Sequence, residues 1–363
     1  MNAVYSWVAQ AHRRACRLAC WSHVAHGRVV PAMRLLLGLG SLLLASSLPA
    51  PGDLQPNVPR RRVTVWWKPS SESTVRSDVQ GMTRQLACTD TIIYCGYAAL
   101  VGGEFGIDPA PAGGWGNSSL CAQAVDSAAD AGLGVQIIVE GRVDGHVKAA
   151  LRVGGATFGR QAAAVVRQRY PRVSGLNIDW EVGRNKTAAE PLPTQLEMDT
   201  FTAAFAHALS PFGLSLSVCA SQWTSYVSDF SKILASNATI YDMGLYHGIS
   251  GAEWEGKLRN ASSNAGAGSL ASGQLAVGVS LEPKFEWENT TSSLAERFAA
   301  VERSGATHLA LFVWAGGERQ TEFGLPPAVV KAWSAQLASF VKGGGTAGDA
   351  VPEAVKTDQD NVV

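Results

Sequence analysis

Between residues 62 and 341 one theme recurs: an apolar, β-branched run, a polar loop, then a stretch with helical spacing. The runs that read as strands are 63–68, 91–98, 134–140, 173–181, 214–222, 239–246, 275–281 and 308–314. Helical patterns fall at 118–131, 159–169, 194–209, 229–234, 251–260, 293–304 and 327–341. Two of them open on capping boxes, Thr194 with Glu197 and Ser293 with Glu296. Near-continuous apolar strands are buried on both faces, as parallel strands are, and a repeat of about 30 residues is that of a βαβ unit. Eight such units in about 280 residues predict one (β/α)8 TIM barrel. The competing doubly wound sheet lacks its mark, because no glycine-rich phosphate loop follows the first strand.

One strand is chemically unlike the others. In Ser174-Gly175-Leu176-Asn177-Ile178-Asp179-Trp180-Glu181 the side chains alternate between two faces. Asn177, Asp179 and Glu181 share one face; Leu176, Ile178 and Trp180 share the other. Buried carboxyl groups need a reason, since unpaired buried charge is costly. Two carboxyls at i and i+2 disfavour each other's ionisation, which is one way to keep a glutamic acid protonated as a general acid. The alternatives are a polar strand end facing solvent, or half of a metal site.

Composition narrows the partners. The chain is 46% hydrophobic and 17% charged, an ordinary globular balance for 363 residues. Its 30 basic and 30 acidic residues cancel, so nucleic acid is not an expected partner. The cluster Arg60-Arg61-Arg62 reads as solvated. Met33-Arg34, the apolar run 35–44 and the small residues to 50 have the order of a secretory signal peptide. That run is too short to span a bilayer, so no stable membrane anchor is expected once 33–50 is cleaved. Residues 1–32 do not fit the signal and read as an uncertain N-terminal extension, with Met33 the expected start.

Export is also suggested by sequons at Asn117, Asn185, Asn237, Asn260 and Asn289. Of the 6 cysteines, Cys88, Cys95, Cys121 and Cys219 follow the signal. They permit three pairings, between which sequence cannot choose; Cys95 and Cys219, inside apolar runs, also read as buried thiols. No Cys/His spacing suggests zinc, and neither a cofactor nor a metal is expected. The tail, 343–363, is polar and patternless and reads as disordered. A monomer, secreted or held in a lysosomal or vacuolar lumen, is expected.

The segment Gly175–Glu181 resembles the fourth-strand signature of glycoside hydrolase family 18, the chitinase and chitobiase group. The pattern there runs Asp-Gly-x-Asp-x-Asp-x-Glu and ends in the catalytic acid. Residues 238–246 are similar to the family's sixth strand, 274–281 to the seventh, and Leu311-Phe312-Val313-Trp314 to the eighth. The order of elements fits over 62–342. The resemblance implies a hydrolase of β-linked N-acetylglucosamine that uses no protein nucleophile, an exception to the two-carboxylate scheme. Glu181 would protonate the leaving oxygen while the substrate's own acetamido oxygen attacks the anomeric carbon. Asp179 would orient that acetamido group, Tyr246 would hydrogen-bond it, and Trp314 would form an apolar floor under the sugar.

Departures from the pattern qualify this. Asn177 stands where many members have aspartate, which leaves Asp179 without an acidic neighbour behind it; chitobiase-type enzymes also carry Asn here. Ser174 replaces the first aspartate, expected to be structural. His247 replaces the aspartate after Tyr246, and counts either as a sugar contact or as a structural histidine. The third strand ends Val139-Glu140-Gly141-Arg142, with Glu140 pointing inward by parity beside Gln136 and Ile138. Segment 282–307 is long enough only for a helix, so the α+β insertion of many processive chitinases is absent and the cleft should be shallow. Asn177, Trp67, Tyr97, Glu140, Trp223, His247 and Glu282 are therefore candidate substrate contacts, and the loops after strands carry further tryptophans at 66, 115, 254 and 287. A chitinase-like lectin that binds the same sugars without cleaving them is the alternative from another class. A barrel enzyme holding a divalent metal on Asp179 and Glu181 is another.

Overall fold

The computed structural model describes residues 60–94, 97–101, 104–108, 118–141, 144–180, 193–220, 230–243, 251–281, 291–315 and 327–343. The readings made at 1–50 and 344–363 lie outside these residues. Strand β1 (Arg62–Lys68), helix α1 (Val75–Gln85) and strand β2 (Asp90–Ile93) open the chain. An antiparallel hairpin follows, β3 (Tyr97–Val101) with β4 (Glu104–Asp108). Then come α2 (Ser118–Asp130), β5 (Gly134–Gly141), α3 (Asp144–Val153), α4 (Gly155–Arg169), β6 (Gly175–Trp180) and α5 (Gln195–Leu209). The rest are β7 (Ser215–Ala220), α6 (Phe230–Leu234), β8 (Thr239–Asp242), α7 (Gly251–Ala265), β9 (Leu275–Ser280), α8 (Thr291–Ser304), β10 (His308–Ala315) and α9 (Pro327–Val341).

The strands β1, β2, β5, β6, β7, β8, β9 and β10 pair in that order, and β10 returns to β1. Every one of these pairings is parallel, so the sheet is a closed eight-stranded parallel barrel ringed by the helices. This is the (β/α)8 architecture predicted from the repeat. Helix α8 fills the described part of the segment between β9 and β10. Among the described residues no helix is long and apolar enough to cross a membrane.

Where the elements differ from expectation, local cause is visible. The run 91–98 is not one strand: β2 stops at Ile93, and a new strand in a separate hairpin begins at Tyr97. An apolar run carries no internal mark of where barrel pairing ends, so periodicity merged the two. Helices α1 and α3 were not anticipated. The box at Thr194 is complete: Glu197 N–H donates to Thr194 Oγ1 at 3.3 Å, and Thr194 N–H donates to Glu197 Oε2 at 2.8 Å. The second box is not a cap, because α8 begins at Thr291 and Ser293 already lies in its first turn. Of the three arginines only Arg60 is exposed as expected; the other two are paired. Arg61 pairs with Glu302 and lies over the Phe340 ring, while Arg62 holds Asp90 at 2.9 Å.

Packing fixes β6, the strand that matters most. Its outward residue Trp180 lies against Phe201 (ring centroids 5.1 Å) and Phe158 (6.3 Å), which belong to α5 and α4. Those two helices approach closely at glycines. A Cβ on Gly155 would lie 2.0 Å from the Phe201 carbonyl oxygen, and one on Gly159 would lie 2.8 Å from Ala208 Cβ. Neither backbone nor short side chain can yield cheaply, so Gly155→Ala should cost about 1–3 kcal/mol by overpacking. Urea unfolding followed by circular dichroism would show it as a lowered midpoint; an unchanged midpoint would mean that the two helices part without strain.

Candidate active site

The barrel interior is filled from the N-terminal end upward. At the bottom the Arg62 guanidinium grips Asp90 with two bonds, Nε to Oδ2 at 3.0 Å and Nη2 to Oδ1 at 2.9 Å. Above it His308 is fully buried, with Nδ1 3.0 Å from the Gly273 carbonyl and Nε2 2.8 Å from Thr64 Oγ1. A carbonyl can only accept, which assigns the proton to Nδ1 and makes the Thr64 hydroxyl the donor to Nε2. Burial, with the nearby Arg62 charge second, pushes His308 down to about 4. The same burial pushes the Tyr241 phenol up to about 12. Both groups are neutral over the working range.

A chain of side-chain hydrogen bonds closes the middle layer. Gln136 Nε2 donates to the Tyr241 oxygen at 3.4 Å, and Ser217 Oγ donates to Gln136 Oε1 at 2.6 Å. Asn177 Nδ2 donates to Ser217 Oγ at 2.8 Å, and Cys219 Sγ donates to Asn177 Oδ1 at 3.3 Å. Trp66 stands edge-on to Tyr241, centroids 5.2 Å apart, and packs with Ile92, Ile138, Cys219 and Ala276. The centre is thus a packed plug, as barrel interiors are.

Above that plug is the C-terminal end of the barrel, the end at which this architecture carries its functional residues. Asp179 sits there, half-buried and inward, two residues beyond Asn177 on β6. The Tyr94 hydroxyl, just past β2, donates to Asp179 Oδ2 at 3.4 Å. The Lys68 ammonium, at the end of β1, lies 4.8 Å from the Tyr94 ring centroid and 5.2 Å from that of Phe312 on β10. The Tyr94 and Phe312 rings meet edge to face at 6.4 Å. A carboxylate, a phenol, an ammonium and an apolar ring from four strands therefore converge at one end of the barrel. Among the described residues no three His, Cys, Asp or Glu side chains converge as a metal site.

Each expected site residue can now be placed. Asn177 and Asp179 face inward and Trp180 outward, as alternation required. Asn177, however, is fully buried within the polar chain and offers no atom to the mouth, so as a substrate contact it is corrected. Ser174 is structural: its hydroxyl donates to the Val135 carbonyl at 2.8 Å. The backbone of Glu140 pairs directly with Asp179 across β5 and β6, and Tyr97 lies in the hairpin strand β3. Their side chains, and Glu181, Tyr246, His247, Trp223 and Glu282 altogether, lie outside the described residues, as do the tryptophans at 115 and 287.

Four tryptophans are corrected. Trp66 is not in a loop; it lies within β1 and is fully buried in the barrel plug. Trp67 is fully buried in the layer between barrel and helices, its Nε1 donating to Asp78 of α1 at 3.3 Å. It cannot line a groove because alternation on β1 puts Thr64 and Trp66 inside, and Trp67 outside. Trp254 is not in a loop; it is buried in α7. Trp314 also faces the helices, so close to α1 that a Cβ on Gly81 would lie 2.6 Å from its Cζ2. The reason is a shift of register. Between the pairs Val65 with Leu311 and Trp67 with Trp314, β1 advances by two residues and β10 by three. The extra residue reverses the alternation, as a β-bulge does. Val313 is left inside with Phe312, and Trp314 is sent outward.

Sequence reading missed Lys68, Tyr94 and Phe312. Inward parity counted from Trp66, Ile92 and Ala310 reaches all three, so the signal was present and unused.

No protein-family model matches this sequence, and no curated protein matches it. Solved structures do match the fold. A chitinase from Chromobacterium violaceum is 11% identical with a TM-score of 0.54, covering 77% of this chain and 99% of that one. The Group IV chitinase of Ostrinia furnacalis, solved in complex with allosamidin, is 12% identical with a TM-score of 0.54, covering 77% and 99%. An endo-1,4-β-mannanase from Rhizomucor miehei is 10% identical with a TM-score of 0.54, covering 78% and 95%. At such identity the likeness establishes the fold alone, a single (β/α)8 barrel; it is the general rule for this architecture that puts functional residues at the C-terminal ends of the strands. One fold carries both named activities, so the substrate must be argued from the site.

Proposed function

We propose that the protein is a secreted glycoside hydrolase cleaving β-linked N-acetylglucosamine, in chitin oligomers or chitobiose units, by substrate-assisted retaining catalysis. The observation that carries this is the inward Asp179 carboxylate at the C-terminal end of a closed parallel barrel, with Glu181 following two residues later in the sequence. Glu181 gives its proton to the departing glycosidic oxygen. The substrate's acetamido oxygen attacks the anomeric carbon, forming a cyclic oxazolinium ion that water then opens. Asp179 orients the acetamido nitrogen and stabilises the positive charge growing there, and Tyr246 holds the acetamido oxygen in line. Phe312 takes the place expected of Trp314 as the apolar face under the sugar, a stacking contact worth about 1 kcal/mol beyond burial. Positioning and electrostatics carry most of the acceleration.

Export is supported from two sides. Cys121 is disulfide-bonded, which belongs to an oxidising compartment. Cys88 and Cys219 are free thiols, so the partner of Cys121 lies outside the described residues. The described sequon asparagines, Asn237 and Asn260, are both exposed. The shallow cleft expected from the short 282–307 segment suits short chains or terminal disaccharides, acted on by a monomer without a membrane anchor.

Incubation with defined N-acetylglucosamine oligomers, with products followed by mass and by proton NMR of the anomeric signals, tests the reading. Cleavage that first releases the β-anomer, unaffected by chelators, is expected. Tight binding without turnover would favour the lectin. Cleavage of mannan but not of these oligomers would refute the substrate, and chelator-sensitive activity would restore the metal alternative.

A further inference from the structure

Resting on the glycosidase reading above, we infer that Tyr94 is the positioning residue for Asp179, and that Lys68 and Phe312 hold Tyr94 to that task. The Tyr94 hydroxyl reaches Asp179 Oδ2 at 3.4 Å from a ring that is 7% exposed, so the phenol is not a solvent-facing group that met the carboxylate by chance. Its ring is clamped on two sides. The Lys68 ammonium lies 4.8 Å from the centroid, within the range of a cation–π contact, and the Phe312 ring stands edge-on at 6.4 Å. Lys68 lies over the Phe312 ring as well, at 5.2 Å, so one cation ties the ends of β1, β2 and β10 together.

The consequence for Asp179 is geometric. A carboxylate at the end of a side chain with free rotation is a poor template for an acetamido group. A hydrogen bond to Oδ2 favours one rotation of the carboxylate over the others. Because the acetamido oxygen must attack along one line, a loss of carboxylate orientation slows the chemical step more than it weakens binding. Tyr94 touches Asp179 and acts through it.

The test compares wild type with Tyr94→Phe, Lys68→Met and the double variant on an N-acetylglucosamine oligomer. Tyr94→Phe keeps the ring between Lys68 and Phe312 and removes only the donor. Its kcat is expected to fall about 10-fold with KM within about 2-fold and an unchanged melting temperature. Lys68→Met keeps the apolar stem; its smaller loss of kcat should vanish in the Tyr94→Phe background, because both act on one contact. A Tyr94→Phe enzyme with wild-type kcat, a loss confined to KM, or fully additive losses in the double variant each overturn the assignment while leaving the glycosidase reading intact. A wild-type protein that cleaves none of the oligomers sinks that reading first, and this one with it.

Discussion

Glu181→Gln is expected to abolish turnover while leaving the barrel folded and able to bind sugar. Glutamine has the shape of protonated glutamic acid but cannot release a proton to the leaving oxygen. Removing a general acid costs about 10²- to 10⁴-fold in rate, so kcat on a chromogenic chitobioside should fall at least 100-fold. Binding should survive, because the sugar contacts proposed for Asp179 and Phe312 do not depend on that proton. The fold should survive too. Strand β6 is held by Trp180 against Phe158 and Phe201 and by its parallel neighbours, and position 181 lies beyond the strand's described end. Initial rates beside a binding isotherm for the same ligand make the comparison. A variant retaining a tenth of wild-type rate would remove Glu181 from the role of acid.

The stability of the barrel should decline on acidification through His308. Burial, then the Arg62 charge, hold its folded value at about 4, below the ordinary 6.5; the bond to the Gly273 carbonyl and the charge of Asp90 only partly oppose this. The Tyr241 ring, centroid 5.4 Å away, is neutral and adds no charge. Below 6.5 the unfolded chain takes up a proton that the folded chain refuses. The contribution is therefore fully present above about 6.5 and is lost as pH falls toward 4. At about 1.4 kcal/mol per tenfold change in proton activity, the whole interval is worth roughly 3 kcal/mol. Urea midpoints between about pH 5 and 6.5 lie above the range where carboxylates titrate, and comparison with a His308 variant separates this group from the other histidines. Wild type should lose stability across that window, and His308→Gln, although less stable at neutrality, should show a flatter slope. Equal slopes would mean that another group carries the dependence.

Much of this molecule was legible without coordinates. The recurrence of apolar runs and helical stretches specified the closed eight-stranded barrel, because each unit must cover both faces of its strand. Alternation on β6 placed Asn177 and Asp179 inside and Trp180 outside, and the contacts of all three agree. Helix α9 matches its expected span of 327–341. Errors arose where a conclusion needed a partner strand. The hairpin after β2 was hidden inside a continuous apolar run. Arg61 and Arg62 looked like a solvated cluster because Glu302 is far from them in sequence, and Asp90 belongs to the next strand.

Local pattern determined which strand is polar, which of its faces is inward, and that its carboxylate opens at one end of a barrel; these follow from a period of two that every strand obeys. Tertiary structure alone decided which aromatic residues meet that carboxylate. Counting along β10 in isolation places Phe312 and Trp314 on one face, but a one-residue slip against β1 reverses the alternation between them. Register between strands distant in the chain is set by packing across the whole barrel, not by either strand's own residues. The same distance dependence brought Tyr94 to Asp179 and Lys68 to both rings: parity along each strand turns these residues inward, but only the packed barrel decides which of them touch.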